Sequence, residues 1–416
     1  MRPMGWWVAV GVLLGFVAFG VVQMLPLNDA VARVATFAPP HRPAKLAMYV
    51  PDPPPAEPSR AVPTLVKESE VRIEHRVKAL AREMAEMWTR NPEELVVVID
   101  DAARSVPSAP SVTLLLAIAH AETNGKILDV SEAGAVGLAQ ATPIACRQEG
   151  YDGKLFVNRD YLIGSRAYIM KKPLGDADTI ATLVVDRDDA KTRKRARHLL
   201  ESAMELRREG IDELTLLDPY ASQKYFDGIK QMDAHNRATL KKLGKLLDHG
   251  SRAELRTFRN DVRTEYRALK QTQLTSWARY QTTLIAKRDA MLREHFGNDT
   301  KVKRELAYEA SEYLGEHLDE RFSAKKMAAF LVRHLDRKKD EARKLASSNA
   351  SDAKVEEMTA ALYNGGSHNV KRMLAGLIRT LPETEKYMKK VPATRRRLDS
   401  VIAGAAIGES GMRTLR

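Results

Sequence analysis

The chain has 416 residues and a mass of 46.5 kDa, too long for one small core and suited to two or three domains. Its 44% hydrophobic and 29% charged content excludes wholesale disorder, and 6% aromatic residues argue against an all-β architecture. A net charge of +13 favours an anionic partner without choosing among nucleic acid, phospholipid and wall polymer, and the single Cys146 excludes an intramolecular disulfide framework and any multi-cysteine metal site.

The first predicted element is an apolar helix. Trp6 to Val22 form an unbroken apolar run of 17 residues preceded by one charge, Arg2. As a helix the run rises about 26 Å, and extension through Leu25 approaches the ~30 Å hydrocarbon core of a bilayer. A cleavable signal peptide is the rival reading, because Ala30-Val31-Ala32 offers a small-x-small site. Either way the remainder is expected to be exported. The Ala38–Pro63 stretch holds nine of the nineteen prolines and reads as an extended, semi-rigid spacer. Helical patterning begins directly after it, with Val71, Val77, Leu80, Met84, Met87 and Trp88 at three- and four-residue steps. Asn91-Pro92 predicts the start of a second helix through Arg104.

Leu114 to Ala121 then reads as a near-continuous apolar helix with Glu122 at its end. A carboxylate at the edge of such a helix is desolvated, which raises its pKa and suits it to general-acid work; the bland reading is a solvated helix-end Glu. Ser131, Gly134, Ala135 and Gly137 follow as small residues that allow close approach of backbone to a ligand or to the carboxylate, and Gln140 adds an amide. Asp129 and Glu132 read as solvated loop carboxylates.

From Pro219 to Pro382 no proline intervenes, and the breakers are local: Asp248–Ser251, Gly297–Asp299 and the Ser347–Ser351 cluster. The spacing of Leu255, Phe258, Val262, Tyr266, Leu269, Trp277, Tyr280 and Leu284 predicts a helix from about Arg252 to Phe296, ~67 Å long and in need of a partner along its apolar seam. No metal spacing, phosphate loop or nucleic-acid motif occurs in this region, which reads as a helical arm and not as an active site.

Five blocks in order carry a resemblance. They are Glu122-Thr123; Ser131-Glu132-Ala133-Gly134-Ala135-Val136-Gly137-Leu138-Ala139-Gln140 with Pro143 after it; Asn158, Gly164, Tyr168 and Ile169; Leu362-Tyr363-Asn364-Gly365-Gly366 with Val370; and Glu383-Thr384-Glu385-Lys386-Tyr387-Met388-Lys389-Lys390-Val391. The sequence resembles the lytic transglycosylase domain of the soluble-lytic-transglycosylase type, within the lysozyme-like superfamily. The resemblance covers Pro110–Lys171 and Asp352–Val391, with departures at Thr123, Ala139, Leu362 and Gly365 and a 180-residue interruption between the halves.

The resemblance implies a mainly α protein: a lysozyme-like helical catalytic domain with an inserted coiled-coil-like arm and an N-terminal transmembrane helix. Its organisation reads as an anchor over 1–27, a Pro-rich linker over 38–63, the catalytic domain over 64–171 and 352–400, the insertion over 172–351 and a tail over 401–416. Glu122 is then the sole catalytic acid and base. Ser131, Gln140, Tyr363, Asn364, Glu383 and Tyr387 bind the substrate, with no metal and no cofactor. The implied reaction cleaves the β-1,4 bond between N-acetylmuramic acid and N-acetylglucosamine with formation of a 1,6-anhydro sugar. The implied setting is a single-pass inner-membrane protein with its catalytic region in the periplasm. Peptidoglycan strands are its substrate, an envelope protein is a partner for the arm, and nucleic acid is not involved. A hydrolase on the same scaffold and a non-catalytic wall-binding adaptor are the alternative readings.

Overall fold

The computed structural model describes residues 63–88, 92–106, 109–298, 306–346, 349–379 and 381–413. The apolar run at 6–22 and almost all of the proline-rich spacer lie outside them. Among the described residues the chain is 80% helical with no strand, and no helix is long and apolar enough to cross a membrane.

The helices follow the punctuation of the sequence. In order they are α1 Pro63–Met87, α2 Glu93–Arg104, α3 Val112–Thr123, α4 Pro143–Gln148, α5 Arg159–Asp186, α6 Ala190–Thr215, α7 Gln223–His249 and α8 Arg252–Phe296. After them come α9 Ala307–His317, α10 Ala324–Leu345, α11 Asp352–Gly365, α12 Ser367–Leu374 and α13 Pro382–Arg413. The long α8 runs over the predicted span, opened by a capping box in which Ser251 and Glu254 satisfy each other's backbone N–H groups. The residues expected as a tail over 401–416 continue α13 as far as Arg413.

The expected boundary at Lys171 falls inside a helix. α5 continues through Pro173 to Asp186, although an interior proline costs about 3 kcal/mol. Packing overrides that cost, because α8 lies antiparallel along the whole length of α5. Tyr161 meets Tyr280 at a ring distance of 5.0 Å. Further along, Gly164 faces Trp277, Lys171 meets Gln273, Arg263 donates to Asp178 at 2.6 Å, and Arg252 donates to the Val185 carbonyl at 2.5 Å. α6 and α7 form a second antiparallel pair, tied by Arg193 to the Leu247 carbonyl at 2.9 Å and by Arg207 to Asp233. The distal parts of α5–α8 enclose a core of their own around Leu174, Ala177 and Ile180, with Leu199, Leu243 and Phe258.

A larger core is shared between the expected insertion and the expected catalytic segments. Leu80, Met84, Leu115, Ile118, Val136 and Leu138 pack in one cluster with Tyr280, Leu284, Leu314, Phe322, Phe330 and Leu331, all from within 172–351, and with Tyr387 and Val391. Polar contacts reinforce the join. Gln281 donates to the Val130 carbonyl at 2.9 Å and Arg288 to the Leu128 carbonyl at 2.7 Å. Arg321 is fully buried; it pairs with Asp319 and donates to the carbonyls of Gly134 at 2.8 Å and Ala141 at 3.1 Å. The 172–351 segment is therefore half bundle and half core. Its proximal part completes the domain that carries Glu122.

Candidate active site

Glu122 owes its position to an unusually apolar helix. In α3, Leu114 to Ala119 are all buried, so the helix is held on every side and its last turn emerges at the wall of a groove. Ser111 caps the start by accepting from the Leu114 N–H at 3.3 Å. At the other end Asn124 adopts the left-handed conformation with φ 50°. Thr123 is buried; its hydroxyl donates to the Ala119 carbonyl at 2.9 Å and accepts from Gly125 N–H at 3.1 Å, fixing the turn beside Glu122.

Burial pushes the Glu122 carboxyl up to about 7, against the opposing pull of the Tyr387 hydroxyl and the Lys390 ammonium. Its place in the last turn of α3 acts in the same direction as burial, because the C-terminal end of a helix dipole disfavours an anion. The Tyr387 hydroxyl is buried and lies at the carboxyl without a fully aligned hydrogen bond to any side chain. The ring of Tyr387 runs parallel to that of Tyr363, with centroids 6.4 Å apart and planes 8° apart. At pH 7 such a carboxyl is divided between its acid and base forms, as a group that must both give and take a proton requires.

The loop after α3 is pinned by isolated bridges from Val136 to Val130 and to Ala141. Ser131 accepts from the Ala135 N–H at 2.9 Å, which leaves its own hydroxyl proton available to the groove. Gln140 has φ 43° and turns its amide nitrogen back onto the carbonyls of Gly137 and Asp129, at 3.1 and 3.3 Å. The small residues of this loop serve packing more than a ligand. Gly134 has φ 75° with the Tyr280 ring over its α-carbon, and Gly137 has φ 76° with the Arg321 carbonyl there.

The opposite wall comes from α11 and the start of α13. Tyr363 donates to the Ala139 carbonyl at 2.7 Å, which ties the two sequence blocks together. Asn364 accepts from the Thr384 hydroxyl at 3.1 Å and is otherwise exposed. Glu122, Ser131, Gln140, Tyr363, Asn364 and Glu383 all line one groove of about 570 Å³, with Tyr387 packed behind Glu122. Asn158 is placed differently from the site residues: it caps α5 by accepting from the Tyr161 N–H at 3.0 Å.

Sequence reasoning missed a third wall. Lys172, Glu213, Trp277, His334 and Lys338 line the same groove and belong to the segment expected as a helical insertion. His334 is buried, bonds to Glu149 at 2.5 Å and stacks on Phe330, with its ring steeply inclined to that of Tyr363. The four-residue step from His334 to Lys338 marks one helical face, but nothing in the sequence says which groove that face borders. Among the described residues no group of three or more His, Cys, Asp or Glu side chains is arranged to hold a metal. Comparison with protein families, with curated proteins and with solved structures gives no match for this chain.

Proposed function

We propose that this chain is a membrane-tethered peptidoglycan lytic transglycosylase with a lysozyme-like catalytic unit. One observation carries the reading: motif blocks separated by 180 residues meet in a single groove around a carboxyl whose pKa is raised to about 7. In the proposed reaction, protonated Glu122 gives its proton to the oxygen bridging N-acetylmuramic acid and N-acetylglucosamine, and that bond breaks. The acetamido oxygen of the substrate shares the positive charge that develops at the anomeric carbon. Glu122, now a carboxylate, takes the proton of the sugar's 6-hydroxyl as its oxygen closes on that carbon. The product is a 1,6-anhydro sugar, Glu122 is restored to its acid form, and water is not consumed.

The environment of Glu122 is compatible with a single acid and base, since Tyr387 and Lys390 are the groups that oppose the effect of burial and no carboxylate is among those that shift it. Two-carboxylate glycosidases instead rely on a closely spaced second acid. Mass spectrometry of purified peptidoglycan incubated with the protein tests the proposal. Anhydro ends support it; new reducing ends indicate a hydrolase, and intact strands indicate a binding module.

A further inference from the structure

We infer that the groove wall built by 172–351 carries a peptide subsite in which Lys172 and Glu213 take the two charges of a zwitterionic group, a free α-amino-acid terminus. This rests on the proposed function for its biological source, the short peptides attached to wall glycan, but not for its chemistry. Lys172 is only 4% exposed, its ammonium lies 4.4 Å from the Tyr168 ring centroid, and among the described residues it has no carboxylate within 4.0 Å. Glu213 is half-buried on the same groove and likewise forms no ion pair at that distance.

Three neighbouring charge pairs are already matched. Lys371 pairs with Glu209 at 2.9 Å, Lys338 with Glu341 at 3.3 Å, and Arg372 with the buried Asp176. On the groove Lys172 is, among the described residues, the lysine without a carboxylate partner, and Glu213 is an unpaired acid whose carboxyl burial pushes up and Lys172 pulls down, the two not closing into a salt bridge. Holding two desolvated charges apart is costly unless something else satisfies them. A ligand carrying both charges does so, its carboxylate on Lys172 and its ammonium on Glu213. A simple anion such as phosphate would meet Glu213, and a simple amine would meet Lys172.

The same wall has unfilled hydrogen-bonding capacity of both kinds. His368 bonds through Nε2 to the Leu206 carbonyl at 2.9 Å, so that nitrogen carries the proton and Nδ1 is an acceptor; Nδ1 has no partner. The indole N–H of Trp277 is an unpartnered donor. Both residues line the groove with Lys172 and Glu213.

Calorimetry with the full chain in detergent and a synthetic tetrapeptide bearing a free α-amino carboxylate on a side chain tests the inference. Two derivatives complete the set, one acetylated at that amine and one amidated at that carboxylate. The unmodified peptide is expected to bind, with each derivative weaker by roughly tenfold or more. Glu213→Gln should erase discrimination against the acetylated peptide only, and Lys172→Gln against the amidated peptide only, a crossed pattern that a purely structural pair would not produce. Equal binding of all three peptides by the unaltered protein, or no saturation up to ~10 mM, overturns the inference without requiring either variant to fold. So does unchanged selectivity in variants that melt like the wild type. No step of the assay needs cleavage, so intact glycan strands beside normal peptide discrimination would count against the transglycosylase reading alone.

Discussion

The main-chain carbonyl of Arg321 occupies the space that a side chain on Gly137 would need. These residues lie on opposite sides of the expected domain boundary, and the fit between them shows that the loop after Glu122 is moulded on the 172–351 segment. Gly137→Ala therefore meets a backbone clash as well as the strain of φ 76°. It should destabilise the protein by about 3 kcal/mol or more, measured by urea unfolding. Gly150→Ala, at φ 67° with open space around it, is the control. It should show only the backbone penalty of about 1–2 kcal/mol.

Replacing 185–348 with a short Gly/Ser linker should leave an unfolded chain. The cut removes Tyr280, Leu284, Phe322, Phe330 and Leu331 from the shared core. At about 2 kcal/mol for each large apolar side chain the loss is roughly 10 kcal/mol, as large as the whole stability of a typical domain. Circular dichroism and a thermal scan decide the matter; a cooperative melt would show that the two parts are separable after all.

Glu122→Gln should stabilise the protein above neutral pH and, on the proposed mechanism, abolish cleavage. The folded carboxyl holds its proton to about 7, against an ordinary value of 4.5. As pH rises from 4.5 to 7 the unfolded chain ionises first, so the wild type loses stability across that window while the amide does not. The shift corresponds to about 3 kcal/mol, and partial access to the groove reduces the expected gain to about 2 kcal/mol at pH 8. At pH 4 the two proteins should melt alike. On the proposed mechanism, cleavage should decline as pH rises through about 7 and the acid form is lost.

His120 predicts the opposite limb. Burial, then Lys390 and Arg397, holds its pKa down to about 4, and its Nδ1 accepts from the Trp88 indole at 3.1 Å. Protonation of Nδ1 would break that bond. The unfolded chain takes up its proton near 6.5, so this contribution to stability is present above 6.5 and is lost as pH falls toward 4. His120→Gln keeps an acceptor without titrating and, with solvent screening of this half-buried ring, should remove on the order of 1 kcal/mol from the acid-side loss between pH 6.5 and 4.5, as read by chemical denaturation at the two values.

Much of the helical content was legible because its signals are local. Ser251 with Glu254 announces the start of α8, and the spacing from Leu255 to Leu284 gives its span. The residues around Glu122 were legible because ordered blocks, each weak alone, converged on one pattern. The role of 172–351 was not legible. Periodicity reports that Tyr280 and Leu284 face something apolar, but not that their partners are Tyr161 and the loop at Val136 instead of another arm helix. The walls at Lys172, Glu213 and His334 were hidden for the same reason: a side chain's neighbours across a long sequence separation leave no trace in its own segment. Gly134 and Gly137 were marked as sites of close approach, but what approaches is Tyr280 and Arg321.

Tyr363 and Tyr387, which enclose Glu122, stand more than 200 residues downstream of it. During synthesis the acid is consequently made long before its setting. Until the segment from Pro382 onward has emerged and packed, Tyr387 and Val391 are missing from the core beside Glu122. Completion of the groove thus coincides with completion of its last helix, so an interrupted chain carries Glu122 and the loop after it without the wall that faces them.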